Sequence, residues 1–205
     1  MPMSFTIELS DRDLTHFNEA IAKAKAAAAG KSDAEVTGAA RQLLVNAANL
    51  TLPDFIASRL NKLDAMIAML VDEAWALPEE DRARVKSAMA YFSESEDLIP
   101  DTIPVLGFFD DAIAIELSAR DLVHELAAYD EFCNFREEQA ADRGLDPAAV
   151  GRADWLSVRR DELVTRMHRR RNREEGGSYG SSSGYGGGSG GYISNAWRPG
   201  PLRVR

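Results

Sequence analysis

Four aspartates, Asp97, Asp101, Asp110 and Asp111, are the residues whose type and spacing could do chemistry. Pro100, Pro104 and Gly107 lie among them and interrupt any helix, so kinks there could fold the carboxylates together. Clustered carboxylates repel, and a divalent cation such as Mg²⁺ or Ca²⁺ would relieve that repulsion with oxygen ligands. Two such metals could assist phosphoester hydrolysis. The same residues have a structural use. Asp101 can cap a short helix carrying Pro104 in its first turn, and Asp97 can accept N–H bonds in the turn. Asp110 and Asp111 stand at a helix start, where negative charge is favoured. The spacing fits no calcium loop, so capping is preferred over metal binding and catalysis.

Other reactive residues point to less. Cys133 falls on an apolar helical stripe with no His near it in sequence, which predicts a buried core thiol rather than a nucleophile. A single cysteine allows no intrachain disulfide. Asp121 and His124 are three apart and read as a local ion pair. His168 sits among arginines and reads as part of a solvated basic face. No Glu-x-x-His pair, glycine-rich phosphate loop or serine elbow occurs.

A second candidate site is electrostatic. Arg159, Arg160, Arg166, Arg169, Arg170 and Arg171, followed by Arg173, give one helix a basic character, while Leu156, Leu163 and Met167 line its other side with Trp155. Such a helix could lie on an anionic membrane surface. It could instead dock its apolar side on the body and turn its arginines to water, and docking is preferred for a helix so near the body. Tyr179, Tyr185, Tyr192 and Trp197, with arginines after them, could stack on single-stranded nucleic acid, but no RNA-binding motif supports that use.

The elements that must position these residues are helices. Ser10 and Ser32 read as caps, with Glu35 completing a capping box, and Gly30 separates the two helices they open. Pro53 opens a third helix with an apolar face through Ile56, Leu60, Leu63, Ile67, Leu70 and Ala74, ending before Pro78. A fourth runs from Glu79 to Ser93. Phe108, Ala112, Ile115, Ala119, Leu122, Leu126, Tyr129 and Cys133 repeat at four and three, which predicts one long helix. The last helix covers Pro147 to about Arg171. Ahead of them all, Phe5 to Leu9 alternates like a short strand or extended arm.

Composition agrees with a chain that folds in water. Of 205 residues, 45% are hydrophobic and 28% charged, and no apolar run is long enough for a membrane span. The net charge of −9 is uneven: residues 1–150 hold 13 Lys and Arg against 28 Asp and Glu, whereas residues 151–205 hold 11 against 5. An acidic body repels nucleic acid and anionic lipid, and the basic C-terminal part could attract either, or the body itself. Residues 176–192 are only Gly, Ser and Tyr, nine of seventeen being Gly, which predicts disorder.

The stretch 91–135 resembles the YkvA-like family, a bacterial domain of unknown function. The resemblance rests on Asp97, Ile99, Pro100, Asp101, Ile103, Pro104, Gly107, Asp110 and Asp111. It implies a helical fold and supplies no reaction. Some relatives place a hydrophobic helix after the motif; here Glu116, Arg120, Asp121 and Glu125 interrupt it, so membrane spanning does not carry over.

The expected fold is all-α, a bundle of five or six helices with a disordered Gly/Ser/Tyr-rich tail. An N-terminal arm and helices would occupy 1–52, the YkvA-like core 53–145, the basic amphipathic helix 146–175 and the tail 176–205. The expected function is that of a non-enzymatic interaction or scaffold protein, cytoplasmic or peripheral to the membrane, without a cofactor. Its expected partner is a protein, with an anionic membrane surface or a second copy as other partners and nucleic acid disfavoured. A metal-binding or metal-dependent hydrolase using the four aspartates is the alternative, as is an anionic-lipid or nucleic-acid adaptor using the six arginines.

Overall fold

A computed structural model of the chain describes residues 8–93, 106–151 and 153–176. Among the described residues there are seven α-helices and no strand. They are α1 (Asp11–Ala27), α2 (Asp33–Ala47), α3 (Asp54–Val71), α4 (Glu79–Ala88), α5 (Phe109–Asp121), α6 (Val123–Asp142) and α7 (Asp154–Gly176). The all-α expectation holds, but the count exceeds the expected five or six. Of the expected arm at Phe5–Leu9, Phe5–Ile7 lie outside the described residues and Glu8 and Leu9 form no strand; the expected disordered tail beyond Gly176 also lies outside them.

Local chemistry sets several helix ends. The Ser10 N–H donates to the Asp13 carboxylate (2.9 Å) while the Asp13 N–H returns to the Ser10 hydroxyl (3.4 Å). Ser32 and Glu35 make the same reciprocal pair at 2.7 and 3.3 Å. The serine hydroxyl and backbone bonds hold both carboxyls below their ordinary range. At the end of α6, Gly144 adopts φ 64°, and the N–H groups of Leu145 and Gly144 turn back to the carbonyls of Ala140 and Ala141. That left-handed closure suits glycine because a Cβ would be strained there.

Two compact units are formed, one drawn from Met1–Leu63 and Val85–Asp121, the other from Asp64–Arg84 and Leu122–Arg205. In the first, Ile21, Val36, Leu44, Ile56, Leu63 and Ile115 are buried. Its α5 is covered on nearly every side, Asp110 to Ile115 being buried without a break. The Ser118 hydroxyl donates to the Ala88 carbonyl (2.9 Å), and Lys62 holds Glu116 at 2.6 Å. In the second, Trp75 is buried with Phe132 and Tyr129 at ring separations of 5.0 and 5.7 Å. Leu156, Leu163 and Met167 of α7 are buried in this unit.

Several boundaries differ from expectation. α4 ends at Ala88 rather than Ser93, with a separate 3-10 turn over Ala90–Ser93, and α7 runs from Asp154 to Gly176 rather than from Pro147 to about Arg171. α3 stops at Val71, well before Pro78, because the Asp72 carboxylate captures the N–H groups of Ala74 (2.9 Å) and Trp75 (3.1 Å). An aspartate bonding two and three residues ahead competes with the helix ladder. The expected long helix is two, since Leu122 leaves helical geometry at φ −111°, ψ 20°. No proline or glycine marks that break, and its apolar spacing runs through unaltered: every stripe residue but Leu126 is buried.

The loop after α3 holds Ala76 at φ 45°, a left-handed conformation that crowds a Cβ. Arg160 of α7 secures it, donating from Nε to the Trp75 carbonyl (2.7 Å) and from Nη2 to the Ala76 carbonyl. Ala76→Gly removes the strained Cβ and leaves both carbonyls in place. A gain of about 0.5–1 kcal/mol is expected, after the greater chain entropy of glycine is discounted, read as a higher urea midpoint.

Candidate functional site

Asp110 and Asp111, the two described members of the aspartate set, are buried in the first turn of α5. Asp110 Oδ2 accepts from the Tyr91 hydroxyl at 3.4 Å. Negative charge at this helix end meets the exposed N–H groups of the first turn. Asp97 and Asp101 lie outside the described residues. Among the described residues no three His, Cys, Asp or Glu side chains gather as a metal-holding group.

The second unit contains a buried charge cluster. Arg171 of α7 is buried, and its Nη1 donates to Asp81 of α4 (2.6 Å) and Glu125 of α6 (2.9 Å). Its Nη2 reaches Glu80 at 3.2 Å. Asp81 and Glu125 are both fully buried. His168 Nε2 lies 2.7 Å from Asp81 Oδ2, and Arg84 Nε donates to Glu125 Oε1 at 3.1 Å. Burial opposes the Arg171 charge, but hydrogen bonds and attraction from Asp81 and Glu125 prevail and raise its pKa above the ordinary arginine value. The cluster therefore joins three helices through buried charge.

A smaller network shares the unit. Asp72 Oδ2 accepts from the Tyr129 hydroxyl (3.0 Å) and from Arg136 Nη1 (2.7 Å). Arg136 Nη2 lies 3.6 Å from the Cys133 sulfur. Burial pushes the Cys133 thiol up to about 11, against the pull of Arg136, and burial also raises the Tyr129 hydroxyl. Cys133 is thus a protonated core thiol at neutral pH.

The arginines of α7 divide into distinct roles. Arg159 binds Glu162 (3.0 Å), Arg166 binds Glu131, Arg160 holds the loop carbonyls, and Arg171 is in the buried cluster. Arg169, Arg170 and Arg173 are exposed. His168 turns to Asp81 rather than joining a solvated face, and His124 Nε2 lies 2.9 Å from Glu174 rather than serving only a local pair.

Sequence reasoning missed Asp81 and Glu125. A signal existed for Glu125: it falls in step with the buried residues Leu122, Tyr129 and Phe132 at spacings of three and four. Arg171 similarly follows Leu163 and Met167 on the buried side of α7. A charge on an apolar stripe must find a partner or leave the core.

A family model described as "Protein of unknown function (DUF1232)" matches residues 82–117, less than a fifth of the chain. The match runs from α4 into α5 and includes Asp110 and Asp111. These residues thus carry a domain of unknown function. No curated protein and no solved structure matches the chain. Among the described residues no helix is long and apolar enough to cross a membrane.

Two outcomes follow from the buried charge and thiol. Arg171→Met takes from Asp81 and Glu125 the buried cation they share, leaving only His168 beside Asp81 and Arg84 beside Glu125, and is expected to cost about 3 kcal/mol in urea unfolding. Adding Asp81→Leu and Glu125→Met should recover most of that loss; a triple variant as unstable as the single one would refute the charge argument. Iodoacetamide at pH 8 should alkylate Cys133 slowly in folded protein and rapidly after urea unfolding, as mass spectrometry reads directly. Equal rates would contradict the burial of the thiol.

Proposed function

We propose that this chain is a non-enzymatic interaction or scaffold protein of the bacterial cytoplasm, built around a YkvA-like domain, and that it works by holding a protein partner. The supporting observation is how its conspicuous charges are used. Asp110 and Asp111 are buried within α5, and Arg171 is locked between Asp81 and Glu125. Cys133, held protonated by burial, is suited to packing rather than to attack. Groups committed in this way stabilise a scaffold whose contacts with partners are made by its exposed surface.

Melting curves in EDTA and with Mg²⁺, Ca²⁺, Mn²⁺ or Zn²⁺ test this reading against the hydrolase alternative. The melting temperature should not move with any of these metals. A rise with one metal, lost in Asp101→Asn, would overturn the proposal in favour of an aspartate metal site. Crosslinking in the cells that carry the protein should recover the same protein partner reproducibly.

A further inference from the structure

We infer that Arg169, Arg170 and Arg173 form a docking surface on α7 for a carboxylate-rich protein segment. The inference rests on the interaction reading above and names the partner's chemistry. Its basis is the way α7 disposes of its charges. Asp161 lies 2.7 Å from Arg160, Glu162 3.0 Å from Arg159, Glu174 2.9 Å from His124 and Glu175 3.6 Å from Arg84. Those four carboxylates are thereby matched to Arg160, Arg159, His124 and Arg84. Four arginines of the same helix, Arg159, Arg160, Arg166 and Arg171, are likewise engaged inside the unit. Arg169, Arg170 and Arg173 are exposed and make no ion pair or side-chain hydrogen bond with the described residues.

Residues three and four apart on a helix are neighbours, with Cβ atoms about 5–6 Å apart. Arg173 is therefore a helix neighbour of both Arg169 and Arg170, so three like charges share one exposed stretch of α7 and repel one another. Carboxylates relieve that repulsion and accept paired N–H bonds from the guanidinium fork.

The rest of α7 selects among anionic partners. Leu156, Leu163, Val164 and Met167 are buried and Val158 is exposed, and a single valine is too little apolar surface to enter a lipid interface. No Phe, Tyr or Trp follows Trp155 in α7, so the helix itself gives the patch no aromatic platform for stacking bases. The chain carries −9 overall, which repels an extended polyanion such as a membrane or a nucleic acid. A short acidic segment can reach the arginines without confronting the whole body.

Fluorescence anisotropy of a labelled ten-residue glutamate peptide with the full chain tests the surface. Binding should weaken as salt rises. It should fall about tenfold in the Arg169→Glu, Arg170→Glu, Arg173→Glu variant, the combined effect of three exposed ion pairs. A control variant with Arg12→Glu, Lys23→Glu and Arg41→Glu changes the net charge equally and should retain near wild-type affinity. Circular dichroism should show equal helicity in all three proteins. Absent peptide binding, an equal loss in the control, or tighter binding to phosphatidylserine vesicles or a single-stranded oligonucleotide would overturn the inference. If the α7 variant keeps the crosslinked partner of the wild type, the surface is wrong and the interaction reading stands. If the chain crosslinks to nothing yet binds the peptide through α7, the interaction reading fails and the surface stands.

Discussion

Removing a charge from water is expensive, and the second unit does so three times in one place. Asp81, Glu125 and Arg171 come from α4, α6 and α7, and each loses its hydration when the helices close. Their mutual attraction offsets that loss only when all three helices are in register. A shift of one residue along α7 would swing Arg171 by about 100° and leave two carboxylates buried without it. The cluster thus penalises wrong packings more than it rewards the right one. The apolar contacts of Leu163 and Met167 are less directional and tolerate such a slip more readily.

The same helix organises the chain on its other sides. Arg160 reaches the carbonyls of Trp75 and Ala76, which lie in a loop that Asp72 has already turned away from helix. With that loop held, Trp75 is buried against Phe132 and Tyr129, and Asp72 also accepts the Tyr129 hydroxyl. Buried charge, a strained turn and an aromatic core therefore reinforce one another within the unit. The basic character of α7 is mostly an internal device, and only its exposed arginines remain to meet another molecule.

Much of the helical architecture was legible in the amino-acid order. Ser10 and Ser32 announce helix starts because a hydroxyl can satisfy an N–H that the first turn leaves open. The stripes mark buried residues correctly even across Leu122, since both α5 and α6 face a core. What spacing does not carry is the break itself, because the apolar repeat is the same on either side of it. The end of α3 was hidden for another reason: Asp72 could serve as a solvent-facing helix residue, and its capture of two N–H groups depends on the turn that follows. Of the candidate site, the positions of Asp110 and Asp111 at a helix start were readable, whereas their burial was not.

Sequence alone determined the helical class, the caps and which apolar residues leave water, because these follow from local bonding and from a periodicity that each helix carries within itself. Only the tertiary structure decided which charges pair. Arg171 and Asp81 are 90 positions apart in the chain, and Arg160 and Trp75 are 85 apart. Nothing in the immediate surroundings of a basic residue says whether its carboxylate will come from its own helix, from a distant one or from another molecule. That choice is made when helices pack and desolvate their side chains, since an unpaired charge is tolerated in water and excluded from a core.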